Sequence, residues 1–156
     1  MERCKWVNLK NKIYVDYHDN EWGKIEHNDK YLFEMLILES FQAGLSWECV
    51  LNKREDFRKA FDNFDYEKIS KYDMNKINEL LNNTKIIRNK LKINAAITNA
   101  KIFMKIQKEC ESFDEYIWSF TNNKVIKNMD DNLKTTSELS DTISKDLKRK
   151  RYEICW

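Results

Sequence analysis

Apolar residues recur at intervals of three and four along most of this chain, the period of helices that bury one face. The longest such stretch is 87–108. There Ile93, Ala96, Ile97, Ala100, Phe103 and Met104 share one face, and Lys90, Lys92, Asn94, Lys101 and Lys105 take the other. Upstream, Tyr31 to Glu39 is apolar nearly all round, which predicts a buried helix capped by Asp29 and ended by Gly44. Ser46 caps a second helix through Val50, Leu51, Phe57 and Phe61, and Asp65 and Asp73 cap short helices over 66–71 and 74–82. Ser112 opens a helix carrying Tyr116, Ile117, Trp118 and Phe120; 121–134 reads as a polar loop, and a last helix runs from about Ser137 to the end. Residues 1–28 have no clear period and are expected to form an aromatic-rich N-terminal segment.

Composition reinforces the helical reading. The 156 residues contain no proline and two glycines, scarcities that disfavour hairpin-rich β folds. With 42% hydrophobic residues and no internal repeat or boundary, the expectation is one all-α domain over residues 1–156. A net charge of +2 does not announce a nucleic-acid binder. Lys85, Arg88, Lys90 and Lys92 cluster, as do Lys145, Lys148, Arg149, Lys150 and Arg151, and each group alone reads as a solvated helix face. The four cysteines, Cys4, Cys49, Cys110 and Cys155, form no CxxC pair, and no secretory leader or membrane span is visible. A reducing, cytoplasmic setting follows, with no membrane partner.

Candidate chemistry concentrates in the first 47 residues. Cys4, Trp6, Tyr14, Tyr17, His18, Trp22, Glu39 and Trp47 lie there, with both glycines. Indole and phenol faces attract cations and stack on planar rings, and a buried carboxylate can hold ring amino groups. Glu39 on an otherwise apolar helix is hard to dismiss, because carboxylates are seldom buried without a partner or a task. Trp22 and Trp118 serve a core as readily as a pocket. Cys4 and His18 could be an ordinary thiol and core histidine, Cys49 and Cys110 small hydrophobes, and His27 exposed. Residues 74–108 read as helix, tight turn at about Asn82–Ile86, and helix with lysines at its start. Such a turn can aim backbone N–H groups at a phosphate, as in a helix-hairpin-helix, although Lys85 stands where that motif has glycine. On the turn alone, an ordinary helical hairpin is the simpler reading.

Several segments together resemble DNA-3-methyladenine glycosylase I. They are Met1-Glu2-Arg3-Cys4-Lys5-Trp6, Tyr17-His18-Asp19-Asn20-Glu21-Trp22-Gly23, Leu38 to Trp47, Ile86-Ile87-Arg88-Asn89 and Tyr116-Ile117-Trp118-Ser119-Phe120. The resemblance implies an all-α helix-hairpin-helix glycosylase, a monomer without an obligate protein partner, that excises alkylated adenine from double-stranded DNA. It implies that Trp6 and Trp47 stack on the flipped base, with Trp22 nearby. Glu39 and Tyr17 bond the base's edge, and Tyr14 lines the pocket. Leu45, beside Gly44, wedges into the duplex, while Arg88, Lys90 and Lys92 meet its backbone. Cys4 and His18 would be two of four ligands to a structural zinc.

The family continues with a Gly-aromatic-Lys-Phe-Val-Gly turn, a further helix and a His-x-x-x-Cys pair that completes the zinc site, whereas this chain reads Arg151-Tyr152-Glu153-Ile154-Cys155-Trp156. The expectation is an incomplete zinc site, with Cys155 the one further candidate ligand. Lysine outnumbers arginine 22 to 6, as in an AT-rich gene. With AT-biased codons, the tail read one base later gives Gly-Met-Lys-Phe-Val-Gly, which suggests a frameshift near Lys148–Lys150. An inactive remnant that only binds DNA or a methylated base is the alternative to an active enzyme.

Overall fold

In the computed structural model, residues 3–127 and 136–153 are described, and every regular element among them is helical. In chain order these are α1 (Lys12–Asn20), α2 (Asp29–Gln42), α3 (Trp47–Leu51), α4 (Arg54–Ala60), α5 (Tyr66–Ile69), α6 (Met74–Asn82), α7 (Lys90–Cys110), α8 (Phe113–Ser119) and α9 (Glu138–Arg149).

Three expected caps form, and the two expected helix starts at Ser112 and Ser137 are caps as well. Ser46, Asp65, Asp73, Ser112 and Ser137 each accept a first-turn N–H of the helix that follows. Several boundaries differ. Asn28, not Asp29, caps α2, because the Asp29 carboxylate instead accepts the N–H groups of Phe113 and Asp114 at 2.9 and 2.7 Å and so docks α8. The helix expected from Ser46 through Phe61 breaks at Asn52 and Lys53, where Lys53 N–H turns back to Val50. The N-terminal segment contains a helix, α1, capped by Asn11.

The main core is a cluster drawn from Phe33 to Tyr152, beside a smaller one of Tyr14, Tyr17 and Leu51. In α2, Phe33, Ile37, Leu38 and Phe41 are fully buried, as are Ile93, Ala96, Ala100 and Phe103 of α7. Phenylalanines knit the helices: Phe41 meets Phe57 at 4.8 Å, and Phe103 meets Phe33 at 5.0 Å and Phe113 at 4.3 Å. Each such ring contributes roughly 1.5–3 kcal/mol by leaving water.

α9 ends at Arg149 rather than running on. Tyr152 N–H bonds Leu147 carbonyl at 2.9 Å and Arg151 N–H bonds Lys148 carbonyl at 2.9 Å, the paired bonds of a helix stop with Arg151 in the left-handed region at φ 70. Buried Asn99 clasps the backbone of Glu153 through both its amide atoms, at 2.9 and 2.7 Å. Residues 128–134 of the expected loop, and Cys155, lie outside the described residues.

Candidate active site

The period of α1 sets the site. Tyr14, Tyr17 and His18 fall on one face and are buried. Trp6 lies across that face, its ring 5.3 Å from Tyr14, 5.3 Å from His18 and 5.3 Å from Trp22. Tyr17 meets Trp47 edge-on at 5.6 Å. Leu51 and Met35 complete this cluster, so Trp6, Tyr14, Tyr17 and Trp47 come together as expected. Trp22 stands at its outer side, stacked on His18 at 5.6 Å and 38% exposed. It is a surface ring rather than a core one. Trp118 is half-buried, its Nε1 donating to Glu26 carbonyl at 3.1 Å, and His27 is exposed.

Glu39 reaches the same place from α2, one turn beyond Met35 and so on Met35's face. Burial alone pushes its carboxyl from an ordinary 4.5 to about 7, with no compensating charge or hydrogen bond among the described residues. Burial, and then the charge of Glu39, push the Tyr17 phenol to about 12, so it remains a hydrogen-bond donor at neutral pH. Tyr152 is raised by the same two causes. Among the described residues, the buried Tyr152 hydroxyl has no hydrogen-bond partner, while the buried Trp47 Nε1 is directed at the Tyr17 hydroxyl. A desolvated carboxylate with an unpaired hydroxyl nearby, set against aromatic rings, favours a flat cation that also carries hydrogen-bonding groups.

A buried charge network, which sequence reasoning missed, fixes this segment to the helices. Arg54 donates to Glu34 at 2.5 Å and to both carboxylate oxygens of Glu21 at 2.9 and 2.7 Å. Arg58 also pairs with Glu34, at 2.8 Å, and Tyr31 hydroxyl donates to Glu21. Glu34 and Glu39 are about 140° apart around α2 at five residues' spacing; one is neutralised by arginines and the other, among the described residues, is not. The partners are 20 and 33 residues apart, so no local spacing announces them. Asn8 and Asn11 add bonds to Glu48 at 2.8 Å each, and Arg3 forks onto Asp19.

The α6–α7 connection runs from Asn83 to Asn89. It needs no glycine: Lys85 has no positive φ, and its N–H is accepted by Asn83 Oδ1 at 3.0 Å. Arg88 and Lys90 are exposed there. Gly44 takes φ +79 after α2, with Leu45 42% exposed beyond it. Lys92 departs from the expectation of a free cation, because its Nζ donates to the carbonyls of Phe41 at 2.8 Å and Ala43 at 2.7 Å.

Cys4 and His18 are adjacent. Cys4 N–H approaches His18 Nε2 at 3.4 Å, and His18 Nδ1 is held by Asp19 at 2.9 Å. Among the described residues no group of three or more metal-binding side chains forms. Two donors alone do not complete a structural zinc site.

Against known proteins, the model of the methyladenine glycosylase family matches residues 6–155. The chain belongs to this family. It is 44% identical to a DNA-3-methyladenine glycosylase of Haemophilus influenzae over 153 residues, covering 96% of this chain and 82% of that one. It is 40% identical to DNA-3-methyladenine glycosylase 1 of Escherichia coli over 157 residues, covering 99% and 83%. A solved 3-methyladenine DNA glycosylase I superposes with a TM-score of 0.90 at 39% identity, over 99% of this chain and 86% of that one. A tyrosine-to-phenylalanine variant in complex with 3-methyladenine superposes at 0.89, with 31% identity over 99% and 84%. The all-helical fold is thus that of the family.

Proposed function

We propose that this protein is a monofunctional DNA-3-methyladenine glycosylase of base excision repair, hydrolysing the N-glycosidic bond of 3-methyladenine in alkylated duplex DNA. The observation that carries the reading is Glu39, an uncompensated, desolvated carboxyl beside Tyr17 and the Trp6–Tyr14–Trp47 cluster. Methylation of the adenine ring makes the base cationic and a good leaving group, so no strong general acid is required. Trp6 and Trp47 stack on the flipped base, Glu39 accepts from its edge, and the Tyr17 hydroxyl donates. A desolvated cation on an aromatic face gains about 2 kcal/mol, comparable to the few kcal/mol that flipping costs. Selection therefore comes with binding. The glycosidic bond breaks with its electron pair going to the base, which leaves neutral; water adds to the sugar carbon and gives up a proton.

Leu45 is the wedge that fills the vacated stack, and Arg88 and Lys90 at the hairpin contact backbone phosphates, which position without specifying sequence. Cys4 and His18 are suited to supply two donors of a structural zinc, with Asp19 fixing the ring as a partner behind the ligand. No step of the reaction passes through that metal. Among the described residues no helix is long and apolar enough to cross a membrane, and the unpaired Cys4, Cys49 and Cys110 suit a reducing cytoplasm.

The test is chromatography of bases released from methylated duplex DNA. Release of 3-methyladenine is expected. Tight binding without any base release would contradict the glycosylase reading and favour a binding-only remnant.

A further inference from the structure

Lys92 is the basic residue of the hairpin whose charge is already spoken for. It lies in the first turn of α7, its backbone N–H accepted by the Asn89 cap at 3.2 Å, and it is only partly exposed. Its ammonium crosses to the end of α2, donating to Phe41 carbonyl at 2.8 Å and Ala43 carbonyl at 2.7 Å. Those carbonyls belong to the last turn and cap of α2, which have no intrahelical partner of their own. A cation is also favoured there by the helix dipole.

The two accepting residues flank the start of the turn that presents Leu45. The Phe41 side chain is fully buried, so its carbonyl is fixed to the core. Ala43 leads directly into Gly44, whose φ of +79 turns the chain, and Leu45 N–H closes the turn onto Gln42 carbonyl at 2.6 Å. Nothing else in the hairpin reaches this turn through a side-chain bond among the described residues; Lys85 contributes only its carbonyl, to Lys53 at 3.0 Å.

We infer that Lys92 is a positioning residue rather than a phosphate ligand: it locks the Gly44–Leu45 turn to the first turn of α7, so that the phosphate-gripping hairpin and the intercalating leucine engage DNA as one rigid body. The inference rests on the proposed base-flipping function for its consequence, but not for its mechanics. With two of its three N–H bonds used, the ammonium has little left for a phosphate, while Arg88 and Lys90 beside it are exposed.

The experiment compares Lys92→Met with Lys90→Ala. Binding to undamaged duplex is followed against salt, and Leu45 amide exchange and single-turnover release of 3-methyladenine are measured alongside. Lys90→Ala should lower the salt slope by about 0.9. Lys92→Met should leave the slope unchanged, speed Leu45 amide exchange, and slow release by about tenfold to a hundredfold. In a Leu45→Ala background it should slow release no further, since its route is through that side chain. A fall in slope like that of Lys90→Ala, unchanged exchange at Leu45, or additive losses in the double variant would each overturn the inference. If Lys92→Met does not unfold cooperatively, Lys92→Gln, which still donates to a carbonyl, is carried through the same measurements with the same criteria at reduced size. A wild-type protein that releases no base would sink the glycosylase reading alone, because salt slope and amide exchange still decide the role of Lys92.

Discussion

Phe103 and Trp47 show two ways of building with aromatic rings. Phe103 is fully buried in α7, stacked on Phe113 at 4.3 Å and edge-on to Phe33 at 5.0 Å. Trp47 is half-buried at the start of α3, edge-on to Tyr17, with a buried Nε1 directed at the Tyr17 hydroxyl. The core around Phe103 is held by apolar area and is complete in itself. The N-terminal cluster around Trp47 is held in place from outside, by Arg54 on Glu21 and Glu34 and by Asn8 and Asn11 on Glu48. Beside it, the Glu39 carboxyl has no counter-charge among the described residues. A region complete in itself contributes stability, and one with unpaired groups in ordered surroundings is prepared for a ligand.

The widest test of this contrast sets Arg54→Ala against Phe103→Ala. Both should lose about 3 kcal/mol or more in urea unfolding, the first by leaving Glu21 without its arginine and Glu34 with Arg58 alone, the second by opening a cavity. The difference lies in rescue. Adding Glu21→Gln should recover part of the Arg54→Ala loss and none of the Phe103→Ala loss, because Arg58 still pairs with Glu34; equal rescue of both would mean that the two regions are not held by different forces.

Next in size, Glu39→Gln should slow release of 3-methyladenine by about 100-fold or more, on the scale of losing one preorganised electrostatic partner, with unfolding stability equal to or above wild type at neutral pH. A comparable loss of stability would show Glu39 to be structural.

Much of the core was readable because period and caps are local properties. Ser46, Asp65, Asp73, Ser112 and Ser137 announce their helices within three residues. Helix α1 was not read, since its buried face is Tyr14, Tyr17 and His18, amphipathic residues that do not register as an apolar stripe. The aromatic site residues and Glu39 stood out by residue type, and the resemblance supplied their grouping. The Arg54 network and the Lys92 bridge were invisible for one reason: their partners lie 20 to 51 residues away, and only the fold brings them together.

Smaller effects refine the edges of the comparison. Lys90→Ala should weaken binding of damaged and undamaged duplex by the same factor, of the order of a few-fold; selective loss for damaged DNA would place Lys90 in base recognition. Arg151→Gly should stabilise the protein by about 1 kcal/mol, because the left-handed conformation at φ 70 costs a side-chain-bearing residue what it does not cost glycine. A melting temperature that falls instead would show that the Arg151 side chain has a role its exposure conceals.

The central claim is that an ionised Glu39 holds the cationic base, and its pH dependence gives the most direct measurement. The Glu39 carboxyl is raised to about 7 in the folded chain from an ordinary 4.5. Its contribution to stability is therefore full below about 4.5 and is lost as pH rises through about 7. Binding of a cation runs the other way, since only the carboxylate attracts it. Single-turnover release of 3-methyladenine should rise as pH increases through about 7 and then level off, while the stability of wild type relative to Glu39→Gln declines over the same range. Glu39→Gln should show neither trend. A rate that falls as Glu39 ionises, or a wild-type profile that Glu39→Gln reproduces, would contradict the account.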